Sequence, residues 1–152
     1  MIKLISYLIL LTLLQPVHAF TVSFSEITQL KDIDFEDVND QLLQEITGRG
    51  MVISYTSHAD VMLQRTSKQI DPQYQTYNNA LIHLFCSAKL SHPMTKETPH
   101  MLAGCPFAIA IYQTTDQPNS VFISYRRTQL KEYQPIIKLM SDIIKETKSA
   151  LD

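Results

Sequence analysis

Glycine is scarce in this chain of 152 residues, which contains only Gly48, Gly50 and Gly104. Phosphate-cradling loops and dinucleotide-binding fingerprints need several glycines at short, fixed spacings, so both are excluded. The sequence also lacks the patterns Gly-x-Ser-x-Gly, His-Glu-x-x-His and Cys-x-x-Cys. The standard signatures of serine hydrolases, zinc proteases and thioredoxin-like proteins are therefore absent.

The chain also lacks an excess of basic over acidic residues. The chain has 13 lysines and arginines against 15 acidic residues, a formal net charge of −2. Nucleic acids and anionic membrane surfaces are bound through basic faces. The charge balance therefore argues against nucleic acid as a partner. No internal repeat or low-complexity tract is present either.

The chain opens with a short apolar segment. Lys3 is followed by an apolar run over residues 4–14, and Val17 and Ala19 are small residues at the spacing that signal peptidase reads. This order is typical of a secretory signal peptide, and it predicts that residues 1–19 are removed and that Phe20 begins the mature chain.

A membrane anchor is the alternative, but the apolar run is about half of the ~20 residues that a spanning helix needs. We therefore expect a secreted or periplasmic protein with no integral membrane anchor after cleavage. Without Lys3 the mature chain keeps 12 basic and 15 acidic residues, a net charge of −3. Its oligomeric state is left open.

Residues 20–152 have the length of a single domain. Apolar residues at helical spacing predict amphipathic helices over residues 35–46, capped by Asp34, and over about 135–148. The second of these should bury an apolar stripe that consists of Ile136, Ile137, Met140, Ile143 and Ile144. Another helix should begin at Ser57 or Asp60. A further helix should follow Ser87, and Pro93 and Pro99 should limit its length.

Runs of β-branched and aromatic residues predict strands over residues 51–56, 80–86, 105–113 and 120–127, with the last two forming a hairpin. Residues 20–34 are polar and alternating, which indicates a short strand or an ordered extension. The expected fold class is α+β, a single-domain sandwich in which a small antiparallel or mixed sheet packs against amphipathic helices.

The order of these elements resembles a known family. The strand "GRGMVISY" precedes an amphipathic helix, "FCSAKLSH" carries Cys86 and His92, and "GCPFAIAIY" carries Cys105 and leads into a hairpin. Over roughly residues 42–144 this arrangement is similar to the domain of unknown function 302 family. The resemblance implies a compact α+β domain with a pocket near the cysteines, and it implies no established reaction.

The stretch from His83 to Tyr112 holds both cysteines, three of the five histidines and two of the six methionines. Three interpretations of Cys86 and Cys105 are open. An exported chain with two cysteines can form one disulfide, here closing a loop of about 19 residues. The thiols can instead be buried separately as small hydrophobic groups. They can also belong to a binding or redox site.

As a site, Cys86 and Cys105 would meet because one ends a strand and the other begins the next, with His92 facing them from the connecting helix. The candidate metal ligands are Cys86, His92, Cys105 and His100, with Met94 or Met101 as alternatives. Thiolate, imidazole and thioether groups suit copper, zinc or haem iron. The first three residues are also the candidate ligand-binding residues, and no catalytic residue is predicted.

Other candidates have simpler explanations. His83 lies within an apolar strand and is expected to be a hydrogen-bonded residue of the sheet, and His58 should be exposed. Met62 and Met140 fall on apolar helix stripes and are expected in the core. A pocket for an anion or an aromatic ligand could be lined by Arg126 and Arg127 with Tyr55, Tyr74, Tyr77 and Tyr112.

Two classes of function follow. The first is an exported, non-enzymatic protein that binds a small molecule, metal or cofactor near Cys86, His92 and Cys105. The second is a thiol-dependent redox accessory protein or enzyme, which a lowered cysteine pKa would favour. The missing Cys-x-x-Cys pattern favours the first class.

Overall fold

The computed structural model describes residues 24–71 and 74–152. The expected signal peptide, residues 1–19, lies outside the described residues. The elements of the described part follow in this order: β1 (Ser25–Lys31), α1 (Phe35–Gly48), β2 (Val52–His58), α2 (Ala59–Ile70), β3 (Tyr77–Cys86), α3 (Ala88–Glu97), β4 (Phe107–Thr114), β5 (Ser120–Arg126) and α4 (Gln134–Leu151). Two short 3-10 helices, Pro99–Gly104 and Lys131–Tyr133, precede β4 and α4. Within these ranges no helix has the length and apolar character needed to cross a membrane.

The five strands form one antiparallel sheet in the order β1-β5-β4-β3-β2. The expected hairpin of β4 and β5 is present, with Ile111 opposite Ile123. Strand β1 pairs with β5, where Leu30 lies opposite Val121. The α+β fold expected from the sequence is therefore confirmed, and the sheet is antiparallel rather than mixed.

Helices α1 and α4 pack against each other and cover one face of the sheet. The Asp34 side chain caps α1 as expected, because its Oδ1 accepts a hydrogen bond of 2.8 Å from the backbone N–H of Glu36. Four of the five apolar residues of α1 at helical spacing are buried, namely Phe35, Val38, Leu42 and Ile46, and Leu43 is half-buried. Each such side chain stabilises the fold by about 1.5–3 kcal/mol relative to an exposed one.

The C-terminal helix α4 carries Pro135 in its first turn, where a missing backbone N–H has no consequence. Four members of its expected stripe are buried, namely Ile136, Met140, Ile143 and Ile144. Ile137 is only partly buried at the margin of the core. It points about 100° away from Ile136 and therefore lies at the edge of the stripe, on the side of Ile144. The expectation that Ile137 is a full member of the core was wrong.

Helix α3 continues through Pro93 to Glu97, so the expectation that Pro93 limits this helix was wrong. The proline removes one backbone hydrogen bond. Its successor Met94 is buried in the core and holds the following turn in place. The helix does end before Pro99, where Thr98 adopts the extended conformation that a residue before proline prefers.

Helix α2 begins directly after His58, which is exposed as expected. It packs against β3 through small residues, with Ala59 and Ser67 buried. Met62 is 46% exposed, so its expected place in the core was wrong. Its apolar neighbours Val61 and Leu63 are exposed as well, so this part of α2 is not covered by the sheet.

Candidate functional site

The chain order brings the two cysteines to the same end of the sheet. Cys86 is the last residue of β3, and Cys105 lies just before β4. Because Phe85 pairs with Phe107, the cysteines flank the first pair of this ladder. The two thiols lie within hydrogen-bonding reach of each other, and the Cys105 thiol donates to the Ser91 hydroxyl at 3.4 Å. Both cysteines are free thiols.

The environment of Cys86 favours its protonated thiol. Partial burial raises the pKa of Cys86, and the neighbouring Cys105 raises it further. Hydrogen bonds involving Ser91 and the backbone of Phe107 act in the opposite direction and are the weaker influence. Catalytic cysteines usually have a lowered pKa because the thiolate is the nucleophile. The raised pKa therefore favours the neutral thiol of Cys86 at neutral pH.

Tyr133 packs over the backbone that leads to Cys105. Its hydroxyl donates a hydrogen bond of 2.9 Å to the carbonyl oxygen of Gly104, and its ring meets that of Phe107 edge-on with centroids 6.0 Å apart. A Cβ atom on Gly104 would lie 2.7 Å from the Cε2 atom of Tyr133. The close approach therefore requires glycine. Burial raises the pKa of Tyr133 and Cys105 adds to the effect, while Arg126 opposes it.

A groove of about 470 Å³ opens beside Tyr133 and Gly104. Its polar groups come from His100, Arg126, Arg127 and Thr128. Its apolar lining is supplied by Met101, Ala103, Pro106, Ala108, Leu130 and Met140. Arg127 forms an ion pair with Glu26 at 3.4 Å, whereas no ion pair of Arg126 occurs among the described residues. The groove thus combines an apolar lining with positive charge.

The four candidate metal ligands do not assemble as a set. His92 is exposed on α3 in a shallow depression with Pro93, Thr95 and Lys96. His100 is exposed on the rim of the groove. In the described part of the chain, no three histidine, cysteine or acidic side chains come close enough together to hold a metal ion. The structure brings together only Cys86 and Cys105.

The sequence predicted some of the residues that line the groove. Arg126 and Arg127 were candidates for an anion pocket, and both line the groove. None of the four tyrosines proposed with them does so: Tyr112 stacks on Phe122 and meets Tyr77 edge-on elsewhere on the sheet. The tyrosine of the groove is Tyr133. No short pattern in the sequence connects it with Gly104, from which it is separated by 29 residues.

His83 belongs to a separate, fully buried polar cluster. It is 1% exposed. Its Nδ1 atom lies 3.0 Å from the Thr56 hydroxyl, and its Nε2 atom lies 2.8 Å from Oδ1 of Asn39. A neutral imidazole with its proton on Nε2 satisfies both contacts, since Nε2 donates to Asn39 and Nδ1 accepts from Thr56. Burial lowers the pKa of His83, as does nearby His58, so the neutral form is favoured.

Comparison with known proteins identifies a family without an assigned activity. No protein with a curated description matches the chain. The crystal structure of an uncharacterised conserved DUF302 protein from Bacillus stearothermophilus is similar in fold, with a TM-score of 0.60 and 15% sequence identity over 86% of this chain and 98% of that one. The family described as "Domain of unknown function DUF302" matches residues 27–152. The chain therefore belongs to the DUF302 family.

Proposed function

We propose that this protein is a non-enzymatic binding protein for a small organic anion, which occupies the groove between the Pro99–Gly104 segment and the end of β5. The observation that carries this proposal is the pairing of an apolar lining with Arg126 in a groove of about 470 Å³. Small-molecule sites are typically concave and mostly apolar, with volumes of about 300–1,000 Å³ and a few placed polar groups.

Each part of the groove has a distinct task in this proposal. Arg126 supplies positive charge for a carboxylate, sulfonate or phosphate group. Met101, Pro106 and Leu130 offer apolar contact to the body of the ligand. Tyr133 is fixed by its hydrogen bond to Gly104 and forms a rigid wall. An anion with a compact apolar body matches this distribution better than a neutral sugar or a cation does.

The probe for a first test is 8-anilinonaphthalene-1-sulfonate, an aromatic sulfonate that fluoresces when it enters an apolar site. Arg126→Gln should weaken its binding about tenfold, the equivalent of about 1.4 kcal/mol for the lost charged contact. Arg65→Gln on the exposed surface of α2 is the matched control, because it removes the same charge away from the groove. Equal dissociation constants for the two variants would contradict the proposal.

A thiol-dependent redox role is the second candidate, and the contact between the two thiols favours it. In this reaction a small-molecule disulfide is reduced to two thiols while Cys86 and Cys105 lose two hydrogen atoms and form a disulfide. The raised pKa of Cys86 should make the exchange slow at neutral pH. Intact mass after incubation with oxidised glutathione, with and without reductant, measures the loss of the two hydrogens.

We further propose that the protein acts outside the cytoplasm. The support is the charge, apolar run and small residues of positions 1–19. Exported material should begin at Phe20. Intact mass of protein recovered from the periplasm or the medium checks this, and retention of residues 1–19 there would contradict it.

A further inference from the structure

The thiol pair is held by regular structure on both sides. Cys86 is the last residue of β3 and pairs with Val52 of β2. Cys105 ends the Pro99–Gly104 segment, and its backbone N–H bonds to the carbonyl oxygen of Leu102 at 3.0 Å. The Ser91 hydroxyl holds the Cys105 thiol from the side of α3. The two sulfur atoms are therefore positioned together before any ligand arrives.

The pair is also accessible. Cys86 is exposed and Cys105 is half-buried, so an ion can approach from solvent. The groove starts next to Cys105, with Gly104 and Pro106 in its wall, and Arg126 lines the same groove. The thiols are therefore open to solvent at the edge of the groove.

The number and type of ligands restrict which ion can bind. Within residues 24–71 and 74–152, no third histidine, cysteine or carboxylate joins the two thiols. Structural zinc sites use four protein ligands and catalytic ones three. Calcium and magnesium require oxygen ligands. Thiolates select copper(I), a soft ion with a filled d shell that accepts two ligands in a line.

We propose that Cys86 and Cys105 form a two-coordinate site for copper(I). Binding forms two copper–sulfur bonds and breaks two S–H bonds, and both protons pass to solvent. Copper stays in the +1 state, so no oxidant or reductant is consumed. The complex carries one net negative charge. This proposal is independent of the organic anion in the groove, because its ligands are the thiols and not Arg126.

The test uses the full chain, reduced, desalted without oxygen and titrated with copper(I) in competition with bicinchoninate. One copper(I) per chain is expected. Cys86→Ser and Cys105→Ser should each weaken binding by about 100-fold or more, since loss of a residue that only hydrogen-bonds to a metal ligand already reduces metal affinity about 10–100-fold. His92→Gln and His100→Gln are the matched controls and should bind within about twofold of the unchanged protein.

Two results would overturn the proposal: copper(I) affinity that survives both serine substitutions, or affinity that is lost in His92→Gln. Cys105 is half-buried, so its variant is first checked by circular dichroism. If it does not fold, alkylation of the unchanged protein decides the question. One equivalent of copper(I) should protect both thiols from iodoacetamide, and unprotected thiols would refute the site. Sulfonate binding by Cys86→Ser should be unchanged, which separates this proposal from that of the groove.

Discussion

His83 and Cys86 lie three positions apart on β3, yet their surroundings differ in every respect. His83 points into the core, is almost completely buried and has a partner on each ring nitrogen. Cys86 is exposed at the end of the strand, beside a second thiol and a groove. A buried polar group whose hydrogen-bonding atoms all have partners has no free atom with which to bind a ligand. The candidate site is therefore at the thiol end of β3.

The stability of the fold should depend strongly on the histidine and little on the cysteine. His83→Ala is expected to lower the free energy of unfolding by about 3–5 kcal/mol, because it leaves a cavity and removes the partners of Asn39 and Thr56. Cys86→Ala should change it by about 0.5 kcal/mol or less. Urea denaturation measures both values. Similar losses for the two variants would mean that the thiol end is equally important for stability.

The contact between Tyr133 and Gly104 should tolerate no side chain. Gly104→Ala places a Cβ atom 2.7 Å from the Tyr133 ring, so the ring must move and its hydrogen bond is strained. We expect a loss of about 1–3 kcal/mol in thermal or urea unfolding. Gly48→Ala is the control, since nothing lies within 4 Å of its added Cβ. A Gly104 variant as stable as the Gly48 variant would contradict this packing.

The buried histidine should also make stability depend on pH. The folded-state pKa of His83 is lowered from the model-compound value of 6.5. The unfolded chain therefore binds a proton that the folded chain excludes. This contribution to stability is complete above about pH 6.5 and is lost as the pH falls toward the folded-state pKa, by up to about 1.4 kcal/mol per pH unit.

The free energy of unfolding, measured by urea titration across this range, gives the slope for the unchanged protein. His83→Gln should have a flatter profile, because its side chain does not titrate. His58→Gln removes the neighbouring charge and should reduce the slope only slightly. An unchanged slope in His83→Gln would assign the acid sensitivity to other groups.

The last expected effect concerns the reactivity of the thiols and leaves stability unchanged. The rate at which iodoacetamide alkylates Cys86 in the Cys105→Ser variant should rise about tenfold for each pH unit between about pH 6 and pH 8, since the thiolate fraction rises by that factor below the pKa. Mass spectrometry follows the reaction. A rate independent of pH would show that the thiolate is already formed, as in a catalytic cysteine.

Elements specified by local pattern could be predicted from the sequence. The cap at Asp34 and the stripe of α1 depend on spacings within one helix, and so do most positions of α4. The errors at Met62 and Ile137 arose because apolar character alone was taken to predict burial, whereas Met62 is exposed together with Val61 and Leu63, and Ile137 lies at the edge of its stripe. Pro93 was misjudged because the burial of Met94, a tertiary contact, keeps the helix intact.

The candidate site could be predicted only in part, for the same physical reason. The meeting of Cys86 and Cys105 follows from strand order, which the sequence indicates. The positions of His92 and His100 depend on how α3 and the next segment are rotated, and helical spacing alone does not fix that rotation. Tyr133 contacts Gly104 because α4 packs on the sheet. The sequence around either residue contains no pattern that predicts this contact.

The pairing of β1 with β5 has a consequence for how the chain folds. The strand nearest the N-terminus pairs with the strand formed by residues 120–126, and the core is completed by Ile136, Met140, Ile143 and Ile144 near the C-terminus. Such long-range pairings slow folding, because a long loop must close before its contacts contribute. A chain that emerges N-terminus first cannot complete its sheet before β5 is available, or its core before α4 is available. Completion of this fold is therefore expected to wait until α4 has been synthesised.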